Sequence, residues 1–311
     1  MRIGRCLFTS DPLSSCGTNR SPRWSAVAGM AVLLLLALLP AAAGFPSQQA
    51  SPQRIFLGPD GEPLPFRNDE EILEFLRQAE VVSMKRIPVG VTRPQEVLLE
   101  RNGVRARAAY RDFDETYQRA RLNDGSFFMS LRDSFIHEAA AYEMSRLLGL
   151  DNVPPAVPRR HAGKNVTVQL WIEDAMSDPE RRESGLQPPR QVAFRLQVQT
   201  MYLFDDLIGN VDRNEGNLLF DRETWKLWMI DHTRGFQRTT EVRNTERITW
   251  CRRDVWERLR TLERADVDAA LDGLVGRYEI DAMFERRDKL VAHIQARIDE
   301  FGEGAVLLAE R

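Results

Sequence analysis

The chain has 311 residues, 43% of them apolar and 29% charged, which is enough apolar material for one two-lobed domain or two small ones. A formal charge of -3, with basic residues interleaved among acidic ones, argues against a nucleic-acid partner. Four histidines and three cysteines leave little material for a zinc site.

In chain order, Arg2, Arg5, Arg20 and Arg23 form a basic lead, Ala26 to Leu39 is a leucine-rich apolar run, and Ala41-Ala42-Ala43 supplies small residues. That is the composition of a secretory signal peptide. Pro40 ends the run short of the roughly 20 apolar residues a spanning helix needs. Residues 1–43 are therefore expected to be cleaved, leaving no stable membrane span. The remainder carries 39 basic against 45 acidic residues and a single cysteine, Cys251. It is read as a secreted or periplasmic protein without an internal disulfide, an economy of cysteine that favours a bacterial envelope. Asn165-Val166-Thr167 is a glycosylation sequon, relevant only in a eukaryotic secretory route.

Residues 44–68, rich in proline, are expected to be a tether. Asn68 should cap a helix running to Gln78. Val81 to Met84 has strand character and precedes a turn at Pro88-Val89-Gly90. Val97-Leu98-Leu99 and Ala106 to Tyr110 flank Asn102-Gly103 and predict a hairpin. A helical stripe runs from Ser134 to a stop at Gly149, and Val166 to Ile172 alternates as a strand. Ser177 to Pro189 has the composition of a disordered insert. A helix from Gln191 to Leu207 comes next, then a hairpin of Leu218–Phe220 with Trp225–Ile230, then a largely helical stretch from 250 to 300. Strands first and helices later predict an α+β fold, with an N-lobe over 69–175 and a helical C-lobe over 176–311. Trp225, Trp228, Trp250 and Trp256 are expected in the core.

The chemistry concentrates in Ile208-Gly209-Asn210-Val211-Asp212-Arg213-Asn214-Glu215-Gly216-Asn217 and Met229-Ile230-Asp231-His232. A hairpin between the two stretches returns Asp231 to Asn217. Phosphoryl transfer needs one carboxylate to receive the hydroxyl proton, and an amide oxygen with a second carboxylate to hold a divalent metal. Hard oxygen donors of this kind suit Mg²⁺ or Mn²⁺. Gly90 makes Pro88–Thr92 a candidate phosphate loop as well as a plain turn.

The segment resembles the core of atypical kinases in which an Asp-Arg-x-x-x-x-Asn loop precedes an Ile-Asp strand, an arrangement shared by phosphatidylinositol 3-/4-kinases and bacterial persistence-toxin kinases. It most resembles the secretory-pathway kinases related to the Golgi casein kinase. The similarity rests on Glu138 to Leu150 with Val153-Pro154-Pro155, on Phe204 to Arg213, and on Ile230 to Phe236, with Cys251-Arg252-Arg253 as a further counterpart. It spans roughly Val81 to Leu262.

The resemblance implies a two-lobed kinase-like fold, ATP with Mg²⁺ or Mn²⁺, and a protein or glycan hydroxyl as acceptor. It makes Asp212 the catalytic base, Asn217 and Asp231 the metal ligands, and Glu138 the residue that organises the nucleotide phosphates. The family's strand lysine is replaced by Arg111, and Asn214 stands where related loops often carry histidine. Either Arg111 pairs with Glu138 and grips the nucleotide, or Lys85 reaches across from the neighbouring strand, or the domain is a pseudokinase. Nucleotidyl transfer by the same metals is a further alternative. His137 and His232 are expected to orient or pack, and Arg234 to hydrogen-bond within the metal loop.

Overall fold

The structure is a computed structural model and describes residues 55–87, 95–122 and 125–309. The signal segment, the loop containing Gly90 and the first part of the expected tether lie outside the described residues. Residues 55–68, expected to belong to the tether, pack on the fold instead. Phe56 is buried with its ring 5.7 Å from that of Trp228, and Leu64 and Phe66 pack on the same core. Proline-rich backbone runs here along the fold because aromatic side chains anchor it.

Helix α1 (Asp69–Gln78) starts where the Asn68 side chain accepts the Glu71 N–H, with acidic residues in its first turn beside the positive end of the helix. Ile72, Leu73, Phe75 and Leu76 form its buried stripe. Strands β1 (Glu80–Arg86), β2 (Gln95–Arg101) and β3 (Val104–Arg111) come after it. Asn102 and Gly103, with φ of 52° and 79°, make the two-residue turn that matches strand twist between β2 and β3.

Next comes a hairpin that the periodicity did not predict, β4 (Asp114–Arg121) with β5 (Phe127–Ser134). Strand β4 is exposed along nearly its whole length, so no apolar alternation marks it. Its partner turns inward only at the end, where Leu131, with Leu122 and Val211, forms a small separate core.

Helix α2 (Ile136–Leu147) ends before Gly149, whose φ of 66° takes the left-handed conformation. Strands β6 (Ala156–His161) and β7 (Lys164–Leu170) complete an antiparallel sheet of order β1-β2-β3-β7-β6. Strand β6 carries Pro158 and two arginines, and its composition hides it from periodicity. After β8 (Ala175–Ser177), the expected disordered insert holds a short helix, α3 (Asp178–Glu183). Ser177 caps it, and Arg181 and Arg182 both bind the buried Asp178. Those local pairs offset a composition that otherwise lacks apolar residues.

Helix α4 (Gln191–Ile208) leads into the motif. Strands β9 (Leu218–Asp221) and β10 (Leu227–Met229) pair antiparallel, and β8 adds to the edge of β9. Beyond them are β11 (Cys251–Arg252), α5 (Arg253–Arg260), α6 (Arg264–Ala270), α7 (Arg277–Phe301), α8 (Glu303–Val306) and β12 (Leu307–Leu308), which pairs with β11. Strands dominate the N-terminal part and helices the C-terminal part, as expected. One apolar core runs through both, from Phe56 and Leu73 to Ile294, and takes in Trp228 and Trp256. Among the described residues no helix is long and apolar enough to cross a membrane.

Candidate active site

The loop that carries Asp212 begins where α4 stops. Gly209 has φ 65° and returns its N–H to the Asp206 carbonyl. Asp205, buried in the last turn of α4, anchors the loop. It accepts Asn210 Nδ2 at 2.8 Å and a bidentate pair from Arg213, Nε at 2.9 Å and Nη2 at 2.8 Å. Arg213 is itself buried, and its Nη1 donates to the carbonyls of Asn217 (3.0 Å) and Ile230 (2.6 Å). One guanidinium thus joins the helix, the Asp212–Asn217 loop and the segment leading to Asp231. The motif spacing contains Arg213 without revealing this role; the acid at Asp205, eight residues earlier, is the signal that could have found it.

The loop is closed by Asn217, whose Nδ2 donates to the Asp212 carbonyl at 3.0 Å, while the Ile230 N–H reaches the Asn217 carbonyl at 3.2 Å. Asp231 therefore stands beside Asn217, as the spacing required. It adopts φ 61°, a conformation that an aspartate tolerates and that is held only when neighbouring bonds demand it. Those bonds are present. The His232 N–H donates to Glu138 Oε1 at 2.9 Å, the Ser134 N–H donates to the Thr233 carbonyl at 2.9 Å, and Thr233 Oγ1 donates to Asp231 Oδ1 at 3.2 Å.

Glu138 is completely buried on α2. Gln169 Nε2 on β7 donates to its Oε2 at 3.1 Å, and Arg111 Nη2 on β3 lies 3.6 Å from its Oε1. Burial alone would raise this carboxyl, but Arg111 and His232 outweigh it and hold it down at about 2. The same Arg111 nitrogen is 3.9 Å from Asp231 Oδ1. Burial pushes Asp231 above the usual carboxylate range, opposed by Arg111 and reinforced by Glu138 and Asp133. Asp212 is raised for the same first reason, with Arg234 opposing and Asp231 and Asp133 adding to it.

Asp212, Asn217, Asp231, Glu138 and Arg111 are thus brought together. Lys85 is not part of this group: it is exposed on β1 and engaged 2.8 Å away by Glu96, so Arg111 is the cation that reaches Glu138. Gly90 lies outside the described residues. His137 and His232 are both fully buried; His137 Nδ1 lies 2.8 Å from the Thr233 carbonyl, consistent with an orienting part. Arg234 departs from expectation, for its side chain leaves the metal loop and binds Asp212 and Asp133. A groove of about 750 Å³ lies elsewhere, beside Phe135, Ile136, Arg159 and Leu274, and contains none of the motif residues.

The donor set fits a divalent metal–nucleotide complex. Asp231 and the Asn217 amide offer hard oxygens, with further donors to come from phosphates and water. Arg111 Nε and Nη1 are buried without a hydrogen-bond partner, as donors aimed at an absent anion would be.

No family model and no curated protein matches the chain. Solved structures do. A Fam20 protein of hydra, determined with sugar, superposes with a TM-score of 0.60 over 78% of this chain and 92% of that one, at 14% identity. A crystal structure of the Golgi casein kinase gives 0.56 over 77% and 78%, at 15% identity. The Helicobacter pylori proinflammatory kinase CtkA gives 0.46 over 73% and 98%, at 12% identity. The fold is the kinase-like fold of the hydra Fam20 protein and the Golgi casein kinase. The architecture expected from the sequence resemblance, strands first and helices later, agrees with this fold.

Proposed function

We propose that the chain is an exported kinase that transfers the terminal phosphate of ATP, with Mg²⁺ or Mn²⁺, to a hydroxyl of a protein or glycan. The observation that carries this reading is the assembly of Asp212, Asn217 and Asp231 around one Arg213 clamp, facing the Arg111–Glu138 pair. Asp212 receives the proton of the acceptor hydroxyl, and its raised proton affinity suits that task. Asn217 and Asp231 would hold the metal, which when bound neutralises charge on the phosphates. Arg111 supplies a planar fork of donors to phosphate oxygens in place of a lysine point charge. Localisation outside the cytoplasm is supported by the leader composition of residues 1–43.

The test is transfer from labelled ATP with Mn²⁺ by the chain beginning after residue 43, with casein and acidic glycans as acceptors. Incorporation is expected, falling at least about 10³-fold in Asp212→Ala. Activity that survives this change would remove the assignment of the base.

Arg111 favours a second reading. It binds both Glu138 and Asp231, so it already occupies charge that metal and nucleotide would otherwise meet. A pseudokinase would bind nucleotide, with a melting shift lost in Asp231→Ala, yet label no acceptor. Mass analysis of labelled product separates phosphoryl from nucleotidyl transfer.

A further inference from the structure

The motif accounts for Asp212, Asn217 and Asp231 but not for the two side chains that hold Asp212 from outside its loop. Arg234 Nη1 donates to Asp212 Oδ2 at 2.7 Å, and Arg234 Nε donates to Asp133 Oδ2 at 2.7 Å. Asp133 is fully buried near the end of β5, and its Oδ1 has no hydrogen-bond partner. A buried carboxylate is tolerated when a cation compensates it, and Arg234 is that cation. The guanidinium is therefore fixed at one end by a side chain that cannot turn to solvent.

A second contact comes from the same hairpin. Leu122 and Leu131 pack with Val211, the residue immediately before Asp212. The β4–β5 hairpin thus supports the base twice, through an apolar contact beneath the preceding residue and through the Asp133–Arg234 bridge. Asp212 is about a quarter exposed and Arg234 about a fifth, so the bridge is within reach of solvent and of an acceptor hydroxyl.

We propose that Arg234, braced by Asp133, is the positioning residue that fixes the Asp212 carboxylate toward the acceptor hydroxyl. This rests on the kinase reading above. In the step it serves, the acceptor oxygen bonds to the γ-phosphorus as the bond from that phosphorus to the β–γ bridging oxygen breaks. ADP leaves with that electron pair, and the hydroxyl proton passes to Asp212. Arg234 engages Oδ2 and aims the carboxylate. Misplacement of a reacting group by about 1 Å costs on the order of 100-fold in rate.

The experiment compares wild type, Arg234→Ala, Arg234→Lys, Asp133→Asn and the Arg234→Ala/Asp133→Asn double variant. In hydrogen exchange, amides of Val211 to Asn217 should exchange faster in both single alanine and asparagine variants, with no further gain in the double variant, while α4 and α7 stay protected. In steady-state transfer, kcat should fall about 100-fold with KM for ATP within about twofold, as expected for lost orientation. Low concentrations of guanidinium ion should restore part of kcat in Arg234→Ala but not in Asp212→Ala, and Arg234→Lys should lie between. Unchanged loop exchange in Arg234→Ala, or a loss of KM for ATP equal to that of kcat, would overturn the proposal. Absence of transfer by wild type would refute the kinase reading instead, and loop exchange would still decide whether the bridge holds Asp212.

Discussion

Arg213 carries more of the site's geometry than any other single side chain. It satisfies Asp205 bidentately and two carbonyls from different segments, all away from water. Removing one partner of such a pair leaves a buried charge uncompensated, which costs about 3–5 kcal/mol. Arg213→Ala should lower the denaturant midpoint by an amount corresponding to that loss, and Arg213→Lys should recover only part, since an ammonium cannot bind both Asp205 oxygens and both carbonyls. At this scale the residue types were readable: Asp212, Asn217 and Asp231 announce themselves by chemistry and spacing. Their partners were not. Asp133 lies 101 positions from Arg234, and no local pattern couples them.

Elements place these residues, and Gly209 shows how tightly. It ends α4 with φ 65°, and a Cβ added there would stand 2.7 Å from Arg286 Cζ. Arg286 cannot yield easily, because it is fully buried and donates Nε to the Leu207 carbonyl at 3.0 Å and Nη1 to the Gln237 carbonyl at 2.9 Å. Left-handed backbone costs a non-glycine about 1–2 kcal/mol and overpacking about 1–3. Gly209→Ala should therefore lower stability by roughly 2–5 kcal/mol in thermal or urea unfolding, whereas Gly163→Ala, with open space around it, should lower it by the backbone share alone.

Helices α1, α2 and α4 were legible because their apolar stripes and caps are local. The Asn102-Gly103 hairpin was legible for the same reason. Strand β4 was not, since Asp114–Arg121 buries almost nothing and its order comes from pairing with β5. Helix α3 escaped because its stability comes from the Ser177 cap and ion pairs to Asp178, features that resemble loop composition.

At the scale of the whole molecule, the junction between sheet and helical parts is electrostatically poised. His137 is buried beneath it, with Nδ1 against the Thr233 carbonyl and its ring 5.6 Å from Phe236. Burial lowers its pKa from 6.5 to about 4. Above pH 6.5 the ring is neutral in both folded and unfolded chains, and no stability depends on it. Between 6.5 and about 4 only the unfolded chain takes up the proton, so stability falls by about 3 kcal/mol across that window. His137→Asn keeps a donor for Thr233 and cannot titrate; its urea midpoint should drop less than that of wild type between pH 7 and pH 4. Glu138, held at about 2, adds a separate loss below pH 4.5 as the pH falls toward 2. The two contributions are separable by pH.

The sequence by itself determined the order of sheet and helical parts, the motif residues and the return of Asp231 to Asn217. These come from local periodicity, turn chemistry and the length of one hairpin. Tertiary structure decided which cation meets Glu138, because Lys85 lies on the edge strand β1, exposed against Glu96, whereas Arg111 lies on the inner strand β3, buried against Glu138. It also decided what holds the Asp212 carboxylate. Asp133, Arg234 and Asp212 come from three distant segments, and a bridge among them exists only once packing of β5 and the two loops has buried Asp133 and brought Arg234 within reach of both carboxylates.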